Sequence, residues 1–295
     1  MNRRHFIQSA GVLGAATLFP AAAPPPEPSY KMGLQLFSVN DVMSEDPVGT
    51  LRQLREMGYQ DLETYGFDAE QGTFYGYPAA GFKTILDDNL LTASSGHFGF
   101  SAYLDRPSDA MKTFVDQCIS GARALNMSYI TWPWLAPEQR NLEQFKRLTG
   151  VLNSIGEQVN AAGLQFAYHN HGFEFEETGG EIPFDVIVRD TDPDLVKLEL
   201  DFYWLIHSSS LLPREVITRH AGRIPLWHIK DMDKVTRDYT ELGNGSIDYT
   251  TLLPNPSDSG LEFCYVEQGG NFTRSSLESA GTNAEYYRKH LSRRL

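Results

Sequence analysis

A few short segments of this chain concentrate side chains that can bind a metal or move a proton. The stretch His169-Asn170-His171-Gly172-Phe173-Glu174 carries two imidazoles and a carboxylate. Glu199 and Asp201 alternate with Leu198 and Leu200, His228 and Lys230 flank Ile229 with Asp231 next, and Gln35, Glu63, His97 and Glu267 stand in other apolar runs. In an extended strand, residues two apart share a face. His169 with His171, Glu199 with Asp201, and His228 with Lys230 are therefore expected to point the same way. Carboxylates gathered this densely out of water repel one another unless a cation sits among them. One divalent ion held by two Glu, one Asp and one His would meet that need, and mixed oxygen and nitrogen ligation suits Mn, Mg, Co or Zn. The chain has no HExxH segment and no paired cysteines, so neither a zincin nor a base-modifying deaminase is supported.

The elements that must position these groups are legible as a repeat. Strand-like runs span Met32–Val39, Tyr59–Tyr65, Leu90–His97, Tyr129–Trp132, Gln165–His171, Val196–Phe202, Pro225–Lys230 and Phe263–Gln268. Between them apolar residues recur at helical spacing, as in Leu148, Val151, Leu152, Ile155 and Val159. Pro47, Ser108 and Pro213 stand where helices should start, and Gly58, Gly163 and Gly222 where they should stop. Eight such units predict an α/β protein, a single-domain (β/α)8 TIM barrel over residues 32–295. The alternative, an open doubly wound sheet, usually carries a glycine-rich first turn, and the segment Phe37-Ser38-Val39-Asn40-Asp41 has none. In a barrel the C-terminal strand ends form the active face, and that is where the polar residues fall.

The N-terminus reads as an address. Arg3 and Arg4 precede an apolar run rich in Gly and Ala that ends at Ala21-Ala22-Ala23, which resembles a twin-arginine export signal over residues 1–23. The run is too short for a stable membrane span, and residues 24–31 form a Pro-rich linker. The expected location is periplasmic or otherwise exported, with the export machinery as a partner. The whole chain has 25 Lys+Arg against 38 Asp+Glu, a net charge of −13; without residues 1–23 it has 23 basic residues and a charge of −15. Such an acidic surface argues against nucleic acid and anionic lipid as partners. Cys118 and Cys264 are expected to be free buried thiols, since two distant cysteines make no disulfide framework.

The segments Tyr168–Phe175, Leu198–Trp204, His228–Met232 and Leu242–Asp248 resemble the sugar isomerase/epimerase family of xylose isomerase-like TIM barrels, over residues 32 to about 292. The resemblance implies one divalent metal held by Glu174, Asp201, His228 and Glu267. Glu174 reaches inward only if the chain bends at Gly172; otherwise His169 or His171 takes its place. It also implies that Glu174 and Glu267 double as a proton-transfer pair. His171 and Lys230 are further acid/base candidates. Gln35, Glu63, His97, Trp132 and His169 are candidate substrate contacts, and Phe37, Trp132, Trp134 and Trp204 candidate apolar walls. The expected activity is isomerisation or epimerisation of a small, unphosphorylated carbohydrate by proton abstraction beside a carbonyl or hydroxyl. A lyase or dehydratase acting on 3-keto-glycosides or inosose-like substrates is the alternative, and an exported sugar-binding protein the non-enzymatic one. A homo-oligomer is compatible with all of these.

Overall fold

In the computed structural model, which describes residues 30–295, eight parallel strands close into a barrel. They are β1 (Gly33–Gln35), β2 (Asp61–Thr64), β3 (Thr92–His97), β4 (Tyr129–Trp132), β5 (Gln165–His169), β6 (Lys197–Asp201), β7 (Leu226–Ile229) and β8 (Phe263–Val266). Each lies inside its sequence-predicted run: Tyr129–Trp132 coincides with it, and the others are shorter at one or both ends. The residues read as signal and most of the Pro-rich linker lie outside the described part. Among the described residues no helix is long and apolar enough to cross a membrane.

The outer layer contains α1 (Pro47–Glu56), α2 (Ala79–Asp88), α3 (Ser108–Ala124), α4 (Leu142–Ala161), α5 (Pro183–Asp190), α6 (Pro213–Arg219), the single turn α7 (Pro256–Ser259) and α8 (Ser276–Tyr286). The punctuation residues work as expected. Pro47 and Pro213 open helices, where a missing N–H costs nothing. Asp46 caps α1 by accepting from the Gly49 N–H at 2.9 Å.

Strand alternation sorts the barrel into storeys. Leu34, Leu62, Ile130, Phe166, Leu198, Leu200 and Ile229 are buried against the helices. The opposite faces turn into the barrel, where Tyr129, Ala167, Leu226 and Tyr265 form an apolar plug. Above the plug the inward positions turn polar, with Glu63, Ser95, Thr131, Glu199 and His228 all buried. Register sets their heights: His228 is level with Asp201, and His169 with Glu199. Between β2 and β3 the register shifts after Leu62, which brings Glu63 opposite Ser95.

Two small sheets beyond the barrel were not legible in the sequence. One joins Phe67–Asp68, Thr73–Phe74 and Tyr77–Pro78 after β2; the other pairs Asp231–Met232 with Tyr239–Thr240 after β7. The second is tied down by Asp231, which adjoins Lys230. Its Oδ1 accepts from the N–H groups of Met232 and Ile247 at 2.7 and 3.1 Å, and its Oδ2 from those of Gly243 and Gly245 at 2.9 and 3.0 Å. A Cβ on Gly245 would fall on the Asp231 carboxylate, so the Gly243-Asn244-Gly245 turn is built for this acceptor. Asp231→Asn replaces one acceptor oxygen by a donor facing two N–H groups. It is expected to destabilise the protein by about 2–4 kcal/mol, measured as a lower unfolding midpoint in urea.

Candidate metal centre and active-site cavity

The upper rims of β5 to β8 bring four ligand groups together. His169, Asp201, His228 and Glu267 each offer one atom, and these atoms all lie within 4.8 Å of one another. His228 Nδ1 is 2.8 Å from Glu267 Oε2 and 3.9 Å from Asp201 Oδ2; His169 Nε2 is 3.7 Å from the same Asp201 oxygen. His169 Nε2 is buried without a hydrogen-bond partner, and the buried Asp201 Oδ2 faces the Lys230 ammonium at 3.0 Å without making a hydrogen bond. Buried acceptors gathered this closely suit a cation, because burial of such atoms is otherwise costly. Two nitrogens and two oxygens make a donor set suited to a divalent ion. These buried acid and histidine groups can therefore bind a metal.

The ligands are held from behind. His169 Nδ1 lies 3.2 Å from the Pro133 carbonyl, which directs Nε2 at the centre. Asn170 accepts from the Asp201 N–H at 3.1 Å, while Asp201 Oδ1 accepts from the Trp204 N–H at 2.9 Å and leaves Oδ2 to face the centre and Lys230. His228 Nε2 lies 2.7 Å from Glu63 Oε2, which leaves Nδ1, 2.8 Å from Glu267 Oε2, as the nitrogen that would face an ion.

Beneath this centre lies a second group, Glu63, His97, Glu199 and His228. Its closest N···O separations, 2.7–2.9 Å, are those of hydrogen bonds. Gln35 Nε2 donates to Glu63 Oε2 at 2.7 Å and Ser95 Oγ to Oε1 at 2.6 Å. Burial favours the neutral His97 ring, but the Glu63 and Glu199 carboxylates outweigh it and hold its pKa at about 9. This layer supports the ligand His228.

Lys230 completes the charge balance. Its Nζ lies 3.0 Å from Asp201 Oδ2 and 2.8 Å from Glu267 Oε2, with the Tyr239 ring 5.1 Å away. Burial opposes the ammonium, yet these two carboxylates hold it above its ordinary pKa. Against the same burial, Lys230 keeps Asp201 down at about 2. His171 is pushed the other way: burial, with His169 and Lys230 nearby, holds it well below the usual histidine range. A neutral imidazole and an ammonium thus face one cavity.

That cavity has a volume of about 790 Å³ and opens above the centre. His97, His169, His171, Lys230 and Glu267 line its floor, and Phe37, Trp134 and Trp204 its walls, as expected. The structure corrects the sequence in three places. Glu174 does not join the ligands. The chain does bend at Gly172, where a Cβ would strike Ser208, but the bend delivers the Glu174 carboxylate to the Tyr168 hydroxyl at 2.7 Å and the His171 N–H at 2.8 Å. Burial raises that carboxyl to about 7, and it is His169 of strand five that stands beside Asp201, His228 and Glu267. Trp132 is fully buried and stacks on Phe100, because it shares the outward face of β4 with Ile130. Gln35 and Glu63 are also fully buried under His228 and do not line the cavity. Arg140, Phe173 and Tyr239, which do line it, come from a loop, a single-turn helix and a two-residue strand outside the barrel repeat.

The comparisons agree with this architecture. Inosose dehydratase of Clostridium perfringens is 29% identical over 139 residues, a match spanning 41% of this chain and only 46%, about half, of that protein. Inosose dehydratase of Bacillus licheniformis is 28% identical over 291 residues, covering 85% of this chain and 92% of that one. Among solved structures, a sugar phosphate isomerase/epimerase from Parabacteroides distasonis superposes with a TM-score of 0.78 at 26% identity, over 95% of this chain and 99% of that one. The IOLI protein shares the fold, with a TM-score of 0.71 at 15% identity over 90% of this chain and 99% of that one. Residues 51–261 match the family of xylose isomerase-like TIM barrels, and the chain belongs to that family.

Proposed function

We propose that this protein is a divalent-metal-dependent dehydratase acting on a polyhydroxylated cyclic ketone or keto sugar. The observation that carries the reading is the cluster of four candidate ligands, with His169 Nε2 buried and unpartnered, at the floor of a cavity faced by one neutral imidazole and one ammonium. A bound divalent ion supplies positive charge to neighbouring substrate oxygens and so acidifies the adjoining C–H. Support for such an ion also comes from the IOLI protein, which was solved with a zinc atom.

Abstraction of that proton needs a base that is neutral at working pH, and His171 is held in that form. Departure of a β-hydroxyl needs an acid, and Lys230 is held protonated by Asp201 and Glu267. The aromatic walls keep bulk water from both groups. Inosose dehydratases among the relatives support elimination as the outcome. Isomerisation or epimerisation is the second reading, supported by the likeness to the Parabacteroides isomerase/epimerase. Its two-carboxylate proton relay is weakened here, since Glu174 is engaged by Tyr168 and His171. We further propose that residues 1–23 direct export of the folded protein, which suits a chain whose cysteines are both free and buried.

The purified protein is expected to hold one divalent ion per chain by elemental analysis. Asp201→Asn and His169→Ala should each lower that content at least ten-fold, while Glu174→Gln retains it; loss of metal in the Glu174 variant would restore that residue to the ligand set. With an inosose as probe, mass spectrometry should find a product lighter by one water, and a product of unchanged mass would favour isomerisation. Lys230→Met should reduce turnover by about 10²–10⁴-fold with the metal still bound.

A further inference from the structure

The metal centre accounts for only one end of the cavity. Its volume, about 790 Å³, is several times that of a single pyranose or cyclitol ring, and the space extends away from the ligands toward the barrel mouth. Two of the four exposed large apolar side chains among the described residues, and both of the aromatic ones, stand there: Phe37 is 41% and Trp134 is 40% exposed. They come from different sides of the mouth, after β1 and after β4, with β2 and β3 between.

Both rings are fixed. Trp134 packs against the Arg140 guanidinium, whose carbon lies 5.1 Å from its ring centroid and 3.9 Å from that of Phe173. The guanidinium in turn donates from Nε and Nη2 to the Leu135 carbonyl at 3.0 and 2.8 Å. No carboxylate lies within ion-pair distance of Arg140 among the described residues, so its visible work is to clamp these rings and this loop. Phe37 is locked edge-on against Tyr65 at 5.4 Å, and its N–H is held by Gln35 Oε1 at 3.0 Å. Exposing rigid aromatic faces to water gains nothing for the fold, whereas a preorganised ring pays little entropy when a flat ligand stacks on it. Two polar atoms point to a ligand as well: Trp204 Nε1 and His171 Nδ1, both in cavity-lining residues, are buried without a partner.

From this arrangement we infer a second-ring subsite: the protein takes a glycoside, with the reacting ring at the metal centre and the attached ring held between Phe37 and Trp134. The inference rests on the carbohydrate chemistry proposed above but concerns binding alone. Trp204 Nε1, buried in the cavity lining without a partner, is free to donate to an oxygen of the bound ligand. The attached ring is recognised by its flat apolar face, which an aromatic aglycone and a pyranose both possess.

The test is calorimetric titration of the metal-loaded full chain with methyl, phenyl and glucosyl pyranosides of the gluco, galacto, manno and xylo series. In at least one series the phenyl or glucosyl glycoside is expected to bind ten-fold or more tighter than the methyl glycoside, and the stronger of the two identifies the attached ring. Trp134→Ala and Phe37→Ala should each weaken the preferred glycoside at least ten-fold more than the methyl glycoside, with metal content unchanged. Equal affinities throughout, absence of binding by every glycoside, or a preference that survives both substitutions would overturn the subsite. Metal content and loss of water from a single-ring inosose are read separately, so the dehydratase reading can fail while the subsite stands, and the reverse.

Discussion

Burying carboxylates in the mouth of a barrel is the constraint from which the rest of the molecule follows. Glu63, Glu199, Asp201 and Glu267 lie within reach of one imidazole, that of His228, and none is solvated enough to be stabilised by water. Such a group tolerates burial only if every oxygen finds a proton donor or a cation. Below, His97, Gln35 and Ser95 meet most of the demand, and Glu199 Oε1 is left without a hydrogen bond 3.3 Å from His228 Nε2. Above, Lys230 meets part of it and leaves His169 and Asp201 with unfilled positions. His228 joins the two levels through its two nitrogens, so the supporting layer and the ligand layer are one network rather than a site resting on a scaffold.

The same constraint separates stability from chemistry within a single barrel. The plug of Tyr129, Ala167, Leu226 and Tyr265 closes the lower interior with apolar contact. The polar storey begins one inward residue higher on the same strands: Leu226 gives way to His228, and Ala167 to His169. Changes in the plug therefore act on packing, whereas changes one step up act on charge and on the ion.

Much of this was readable from sequence because the information is periodic. Eight apolar runs, helix-opening prolines and terminal glycines gave the barrel, and period-two spacing aimed Glu199, Asp201 and His228 inward. The misassignments arose where the period breaks or was not applied. Glu174 lies beyond the strand, after a bend whose direction depends on the contact of Gly172 with Ser208, a residue 36 positions away. Trp132 follows Ile130 at an even spacing and so faces outward, a signal present in the sequence but outweighed by the expectation that tryptophan lines sugar sites. Arg140, Phe173 and Tyr239 are brought to the cavity by a loop, a single-turn helix and a two-residue strand, which carry no repeat to read.

The ligands also arrive in a particular order along the chain. They sit on the last four strands, and Glu267 directly follows the strand whose residues Tyr265 and Val266 pair with Gly33 and Leu34 at the opposite end of the domain. The candidate ligands thus lie on or just after four consecutive, mutually paired strands, so the half of the barrel from β5 to β8 suffices to bring them together, and β8 carries both the last of them and the seam to the first strand. An ion held there would tie this half of the ring together and leave the seam to backbone pairing and to the packing of the helices.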